Sequence, residues 1–554
     1  MQKARVAVDR RRQQRGVTAI MMTFVISIVL VAIAAALVYI LTAETREVGY
    51  RGQEKQALYL AQAGIEKATT TLQSSIESYY ATTLDVILTL EMIDCQVGTY
   101  PASEEALGSG TFTVQITSIE VPAEFDRRNI TFRATGSVGG VTKTVLSVKT
   151  FGFSASKVFD STYFINNYGW FYGGAQQFQG DVRANGNFVV QGAQKINGDV
   201  YASGTIDESA GSFFYDSLDR YYTTASTRAR PGDPPAPGEA EFAGGYDGFA
   251  DGYDSYGDPR DTETPQQHPD QDVVDMPYLG DLDYYQNLAI EENGTVKIDG
   301  ATIINNNYTG TVVLVGTSTS PIVIDGPVVV SDDVIIKGVV SGQGTIYAGR
   351  NVHIIADISY QNPPSWPKPD YDPEDTADEN VDKDFLCLSA KGNVVLGDYN
   401  HSGWAVVKDY IQPPFTSAYA VDATDAGNGY VSYYSDGTPY FDGNYTDYDG
   451  GAKSDGASRK FYESSLSDTQ FSSYSPTIRI DQIDALVYTN HLVGGRVNNM
   501  NFNGSVIGRD DGIAFTGSLT MNYDYRVREQ GREYVNINLP LSVMDPEEVS
   551  WREE

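Results

Sequence analysis

The sequence predicts a mainly β protein behind one long N-terminal α-helix. Its body is expected to be a small antiparallel sheet followed by an interrupted three-sided β-solenoid, that is, a parallel β-helix. Three observations predict this: 25 uncharged residues from Val17 to Leu41, alternating strands on both sides of Gly139-Gly140, and an apolar row recurring every six residues from Ile322 to Val352. At 554 residues the chain exceeds what one compact core usually holds, so several domains or a repeat array with insertions are expected. Its formal charge of −34 sits in a body rich in Gly, Tyr and Asp. That balance excludes sequence-independent nucleic-acid binding, which needs clustered Lys and Arg against phosphate.

The helix comes first. At about 1.5 Å of rise per residue the uncharged run reaches roughly 37 Å, enough to cross a hydrocarbon core of about 30 Å. A secretory signal has a shorter apolar region closed by a small-residue cleavage site, whereas here the helical pattern runs on past Glu44. Lys3, Arg5, Arg10, Arg11, Arg12 and Arg15 precede the run against a single Asp9, which puts the N-terminus in the cytoplasm and the body outside a singly crossed inner membrane. Beyond the span, Leu58, Ile65, Leu72 and Tyr79 recur every seven residues with Ala61 and Ala68 between them, giving the continuing helix one apolar face. That face serves packing onto the helix's own domain, packing against other subunits, or both.

At these residues the chain resembles a known family. Arg15-Gly16 followed by Val17, Thr18, Ala19, Ile20 and Met21 resembles a class III signal sequence, the kind cut after Gly by a prepilin peptidase. The run Gln56-Ala57-Leu58-Tyr59-Leu60-Ala61-Gln62-Ala63-Gly64-Ile65-Glu66 is similar to a signature of PilX-type minor pilins that ends in Ala-Gly, a hydrophobic residue and Glu. The resemblance covers roughly residues 12 to 75. It implies a pilin-like α+β module, processing between Gly16 and Val17, and prepilin peptidase and other pilin or pseudopilin subunits as partners. Met21, Leu58, Ile65 and Leu72 would then serve the membrane helix and filament packing. Met21 stands where ordinary pilins carry Glu, a carboxylate that in the family neutralises a neighbour's terminal amine inside the apolar filament, where an unpaired charge is costly. Its absence implies a minor or tip subunit of a type IV filament.

Phe112, Val114 and Ile116 alternate with polar residues, as do Ile130, Phe132 and Ala134, and Gly139-Gly140 then marks a hairpin before Val145 and Val148. Further on, Ile322, Val328, Val334, Val340, Ile346 and Val352 stand six residues apart, with Ile324, Val330, Ile336, Gly342, Ala348 and Ile354 as a companion row. Two inward positions per short strand and three strands per turn make a coil of 18 residues. Gly180-Asp181-Val182 recurs as Gly198-Asp199-Val200 at that spacing, and Ile507, Ile513, Leu519 and Tyr525 repeat the hexad near the C-terminus. A β-sandwich is the competing architecture, but its strands have no reason to keep one register across loops.

The expected organisation is a basic leader (1–16), membrane and N-terminal helix (17–80), small sheet (81–155) and first solenoid block (156–225). A Pro/Gly/Asp/Tyr-rich insertion (226–290), a second block (291–408) with an acidic loop (360–384), a second insertion (409–477) and the solenoid end with its tail (478–554) follow. Asp370, Asp372 and Glu374 in the acidic loop, and Asp442, Asn444, Asp447 and Asp449 in the second insertion, concentrate oxygen ligands suited to Ca²⁺, though neither set has EF-hand order. Trp366, Tyr419, Tyr433 and Tyr434 are candidates for stacking on sugars or on another protein. Asp332-Asp333 and Asp398 are the carboxylates nearest to a general acid/base arrangement, and the four histidines form no ligand set or triad. Cys95 and Cys387 make either one long-range bridge or two free thiols.

The expectation is a non-enzymatic minor pilin or pseudopilin-like subunit, requiring no cofactor, whose solenoid serves assembly initiation, adhesion or surface interaction. The alternative is a membrane-anchored cell-surface β-helix enzyme or binding protein acting on polysaccharide.

Overall fold

The computed structural model describes residues 2–98, 104–122, 126–166, 169–171, 176–186, 188–191, 195–197, 199–203, 206–210, 213–215, 221–223, 267–268, 271–280, 282–365, 379–404, 432–433, 439–440, 467–490, 492–509, 512–528 and 535–554. The chain divides into two units: Met1–Tyr79, Thr89–Gly152 and Asp545–Glu554 in the first, Tyr80–Leu88 and Phe153–Met544 in the second.

The first unit is a helix on an antiparallel sheet. Helix α1 runs unbroken over Gln2–Thr83. Strands β1 (Glu105–Leu107), β2 (Gly110–Glu120), β3 (Arg127–Val138) and β4 (Val141–Ala155) pair in chain order. Gly139 and Gly140 both have positive φ (58° and 87°), which is what a two-residue hairpin of the right twist demands. Phe112, Val114, Ile116, Ile130, Phe132, Ala134 and Val145 point inward and are buried. The strand Glu547–Glu553 adds to the other side of β4, so part of the segment expected to end the solenoid belongs to this sheet instead.

The buried stripe of α1 differs from the seven-residue row read from the sequence. Ala57, Ala61 and Ile65 form one buried ridge, and Leu60, Gly64, Ala68, Leu72 and Ile76 another, both stepping by four. Leu58 is only half-buried and Tyr79 is exposed. Ridges of spacing four run obliquely to the helix axis, so the contact line precesses around α1 as it crosses the sheet and leaves a strict heptad behind. Small residues let the two backbones approach. A Cβ on Gly136 of β3 would lie 2.1 Å from the Ala57 carbonyl oxygen, and one on Gly64 would lie 2.7 Å from the Phe112 ring.

The second unit is built on parallel ladders. Ile322–Val330 pairs with Val340–Ala348 eighteen residues on, and Val334–Ile336 with Val352–Ile354 at the same offset. Both hexad rows from Ile322 to Ile354 are buried, apart from Gly342, which carries no side chain to bury. Gly342 has φ 88°, and a Cβ there would stand 2.1 Å from the Ile324 carbonyl oxygen of the preceding layer. The gap in the companion row is therefore a backbone contact, and only glycine fits it.

Residues inserted between layers leave this register intact. Val352 pairs with Val394 and Leu388 with Val487 although 42 and 99 residues separate them. Near the C-terminus the offset varies: it is 19 for Val487 on Val506 and Phe502 on Met521, 17 for Ile480 on Val497 and 20 for Val493 on Ile513. Asn499 (φ 52°), Gly504 (φ 141°) and Gly517 (φ 120°) in this stretch all have positive φ. The predicted row shifts accordingly: Val506, Leu519 and Met521 join the main core, whereas Tyr525 lies in a short 3-10 helix, Tyr525–Val527.

The order of layers in space is not their order in sequence. Val506–Gly508 pairs in parallel with Tyr163–Ile165, and Thr520–Asn522 with Gln177–Gln179. Layers then continue at offsets of 18 and 19: Tyr163 on Val182, Phe178 on Ile196, and Val182 on Val200. Among the described residues an antiparallel hairpin lies at each limit of the ladder, Phe213–Tyr215 with Tyr221–Thr223 and Thr295–Ile298 with Ala301–Asn305. The described parts of the expected insertions take defined places in the second unit. Residues 271–279 run along the layers, hydrogen-bonded to Ala202, Asn185 and Asn490, and helices occupy Asp283–Glu291 and Asp468–Ser473.

Candidate functional site

The candidate site is the N-terminal half of α1. Residues 16–52 are exposed throughout, with Val17 59% and Met21 68% accessible. Among the described residues one helix, Gly16–Thr83, is long and apolar enough to cross a membrane, and none of its most apolar stretch is buried. In hydrocarbon every polar group needs an internal partner. The hydroxyls of Thr23, Thr42 and Thr45 meet this by donating to the carbonyls of Ala19, Val38 and Leu41, 2.6–2.8 Å away. Gly16 costs a helix about 1 kcal/mol relative to Ala, so the Gly16-Val17 bond falls at an intrinsically weak point of an otherwise strong helix.

The predicted residues separate into two groups. Gly16, Val17 and Met21 share the exposed apolar stretch. Ile65 and Leu72 are buried inside the first unit, and Leu58 stands at the edge of that contact. On the same helix Glu66 receives the Lys149 ammonium of β4 at 2.9 Å, with Lys149 nearly buried. Asp370, Asp372, Glu374, Asp442, Asn444, Asp447, Asp449, Trp366, Tyr419 and Tyr434 lie outside the described residues. Tyr433 is described only as backbone, in a two-residue strand Ser432–Tyr433. Among the described residues no group of three or more His, Cys, Asp or Glu is arranged to hold a metal ion.

The carboxylates nearest to an acid/base arrangement have other roles. Asp333 is fully buried and its Oδ1 accepts the Asn351 N–H at 3.1 Å. Asn351 Oδ1 in turn accepts the Asn393 N–H at 2.9 Å, making a polar ladder up one corner of the stack. Equivalent ladders join Asp484 to Asn503 and Asn503 to Asn522 (2.7 Å each), Asn166 to Asn185 (2.7 Å), and Asp181 to the Asp199 N–H (2.9 Å). Each satisfies a backbone or amide group that the turn would otherwise bury unpaired. His353 Nε2 lies 3.8 Å from Asp333 Oδ1, beyond hydrogen-bond range, with its ring against Phe471 and Tyr399. Asp398 Oδ1 accepts the Asn400 N–H in a local turn. The corner ladders were missed in the sequence, although the repeated Gly-Asp-Val at Asp181 and Asp199 already carried their signal. Cys95 is exposed and Cys387 buried, and the two are not joined in a disulfide.

No protein-family model matches the chain, and no curated protein matches it. Among solved structures, the crystal structure of the competence-associated pilin ComZ from Thermus thermophilus aligns with 91% of this chain and 97% of its own, at 10% identity and a TM-score of 0.27. A likeness this loose transfers neither fold detail nor function.

Proposed function

We propose that the chain is a type IV pilin-like subunit of the minor or tip class, anchored by the first half of α1, cut after Gly16, and carrying its β body outside the inner membrane. The observation that carries this reading is the division of α1. Residues 16–52 present an exposed face, mostly apolar as far as Leu41, while Ala57 to Ile76 pack on the first unit's own sheet. A helix that is half anchor and half domain spine suits lateral association with other pilin or pseudopilin subunits through the exposed half. Met21 leaves no carboxylate between Val17 and Ala43 to meet a neighbour's amine, which favours a place at the end of a filament over repeated use along it.

In this reading the stacked ladders of the second unit are a β-solenoid that acts as a rigid, non-enzymatic display element for assembly initiation, adhesion or surface interaction. Its support is the 18-residue offset shared by layers far apart in the chain. The Ca²⁺ and aromatic candidates of the acidic loop and the second insertion would serve that display. Sequencing the N-terminus of the protein purified from membranes tests the assignment. A mature chain beginning at Val17 is expected, with Gly16→Val retaining the leader; a wild-type chain that keeps Lys3 to Arg15 would reduce the protein to a permanent anchor.

A further inference from the structure

The join between the first and last layers of the second unit is made by residues 343 positions apart, Gln176 and Leu519 among them. It is nevertheless an ordinary layer contact. Val506 N–H donates to the Thr162 carbonyl (3.0 Å) and Tyr523 N–H to that of Gln179 (2.9 Å), while the Gln176 side chain bonds both Leu519 N–H and the Gly517 carbonyl (3.0 and 3.2 Å). The Tyr523 hydroxyl donates to the Phe159 carbonyl at 2.9 Å, and Arg528 pairs with Asp181 at 2.6 Å. Tyr163, Phe178, Val506 and Met521 are all buried in the common core. The layers from Ile322 to Asn522 template one another without help from residues 156–223, whereas the layers at Tyr163 and Phe178 take one of their two ladders from Val506–Asn522.

We infer that this seam is a completion device: layers 156–223 dock last, on a template made by residues 500–528, so the body is finished only once the C-terminal layers have formed. Layers with near neighbours in sequence close small loops and propagate along the stack, whereas the seam must close the longest loop in the unit before any contact rewards it. The hairpins at the two limits of the ladder leave the seam as the point where two separately nucleated blocks meet.

The order is testable in the full-length, detergent-solubilised chain carrying Cys95→Ser and Cys387→Ala, so that no other thiol competes. One variant pairs Gln177→Cys with Thr520→Cys across the seam, and a control pairs Val323→Cys with Ser341→Cys within the later block; both are Cα partners in parallel ladders. After dilution from denaturant under oxidising conditions, the control bridge is expected to form at least about tenfold faster than the seam bridge. Adding Met521→Ala should slow the seam bridge alone. Seam closure as fast as the control, or equal slowing of both bridges by Met521→Ala, would overturn the inference.

Discussion

β3 and β4 meet across a two-residue turn, whereas Tyr163–Ile165 and Val506–Gly508 meet across 343 residues, yet both are fully paired and cover buried apolar rows. The antiparallel sheet of the first unit has its register set locally, by the positive φ of Gly139 and Gly140, and one inserted residue there would turn every side chain to the other face. The parallel stack takes its register from the inward row, so 24 further residues at one corner and 81 at another separate successive layers without disturbing it. Local turn chemistry governs the first unit, and layer-on-layer fit governs the second.

Three substitutions or conditions sharpen this contrast. The largest effect is expected where two layers touch by backbone. Gly342→Val imposes a β-branched side chain on φ 88° and drives its Cβ into the Ile324 carbonyl, at a cost of about 4 kcal/mol or more. Hydrogen exchange should then show loss of protection from Ile322 to Tyr360 while Ala57 to Ile76 keep theirs; loss confined to residue 342's own turn would mean the layers fit less tightly than described.

A smaller cost is expected where sheet meets helix. Gly136→Ala pushes a methyl against the Ala57 carbonyl and the Ala61 amide, and overpacking of this kind costs about 2–3 kcal/mol. Its signature is faster exchange in α1 from Ala57 onward and in β3, with the stack unaffected. A neutral outcome would show that α1 slides along the sheet instead of being pinned to it.

The mildest probe is alkali. Burial pushes the Cys387 thiol up to about 12 and holds the Tyr347 phenol well above its ordinary value, so both favour the folded stack while they stay protonated. The sign follows from linkage. This contribution is complete below about pH 9, where the unfolded thiol begins to ionise, and is lost as pH rises toward 12, the phenol following from about pH 10. A thiol reagent at pH 8 should therefore modify Cys95 alone in the native chain and both cysteines after denaturation. Equal labelling of Cys387 in the native state would place it at a loosely packed layer.

Much of this was legible in the sequence because it is periodic or local. Val17 to Leu41 needs only length and the absence of charge to be read as a spanning segment, and Gly139-Gly140 needs only its flanking alternation. The rows from Ile322 to Ile354 announce their layers at a spacing of six. The buried face of α1 was only partly legible: Ile65 and Leu72, with Ala61 and Ala68, do face the sheet, but Leu58 is half-buried and Tyr79 exposed because the contact line steps by four. Gly16, Val17 and Met21 stand out through the resemblance of Arg15 to Met21 to a class III signal sequence, and in the fold they lie on the exposed part of α1. The carboxylates at Asp333 and Asp398 looked like chemistry because their hydrogen-bond partners, Asn351 and Asn400, become visible only once the turns are built.

The sequence by itself therefore determined an apolar helix long enough to cross a membrane, a short antiparallel sheet and a six-residue beat in the body. Tertiary structure alone decided that Glu547–Glu553 completes the N-terminal sheet, that residues 271–279 run along the layers, and that the first layer rests on the last. The physical reason is that periodicity records which way a side chain points, and all inward rows look alike. Which row lies against which depends on the edges left unpaired after the neighbouring layers have formed, a property of the folded chain as a whole.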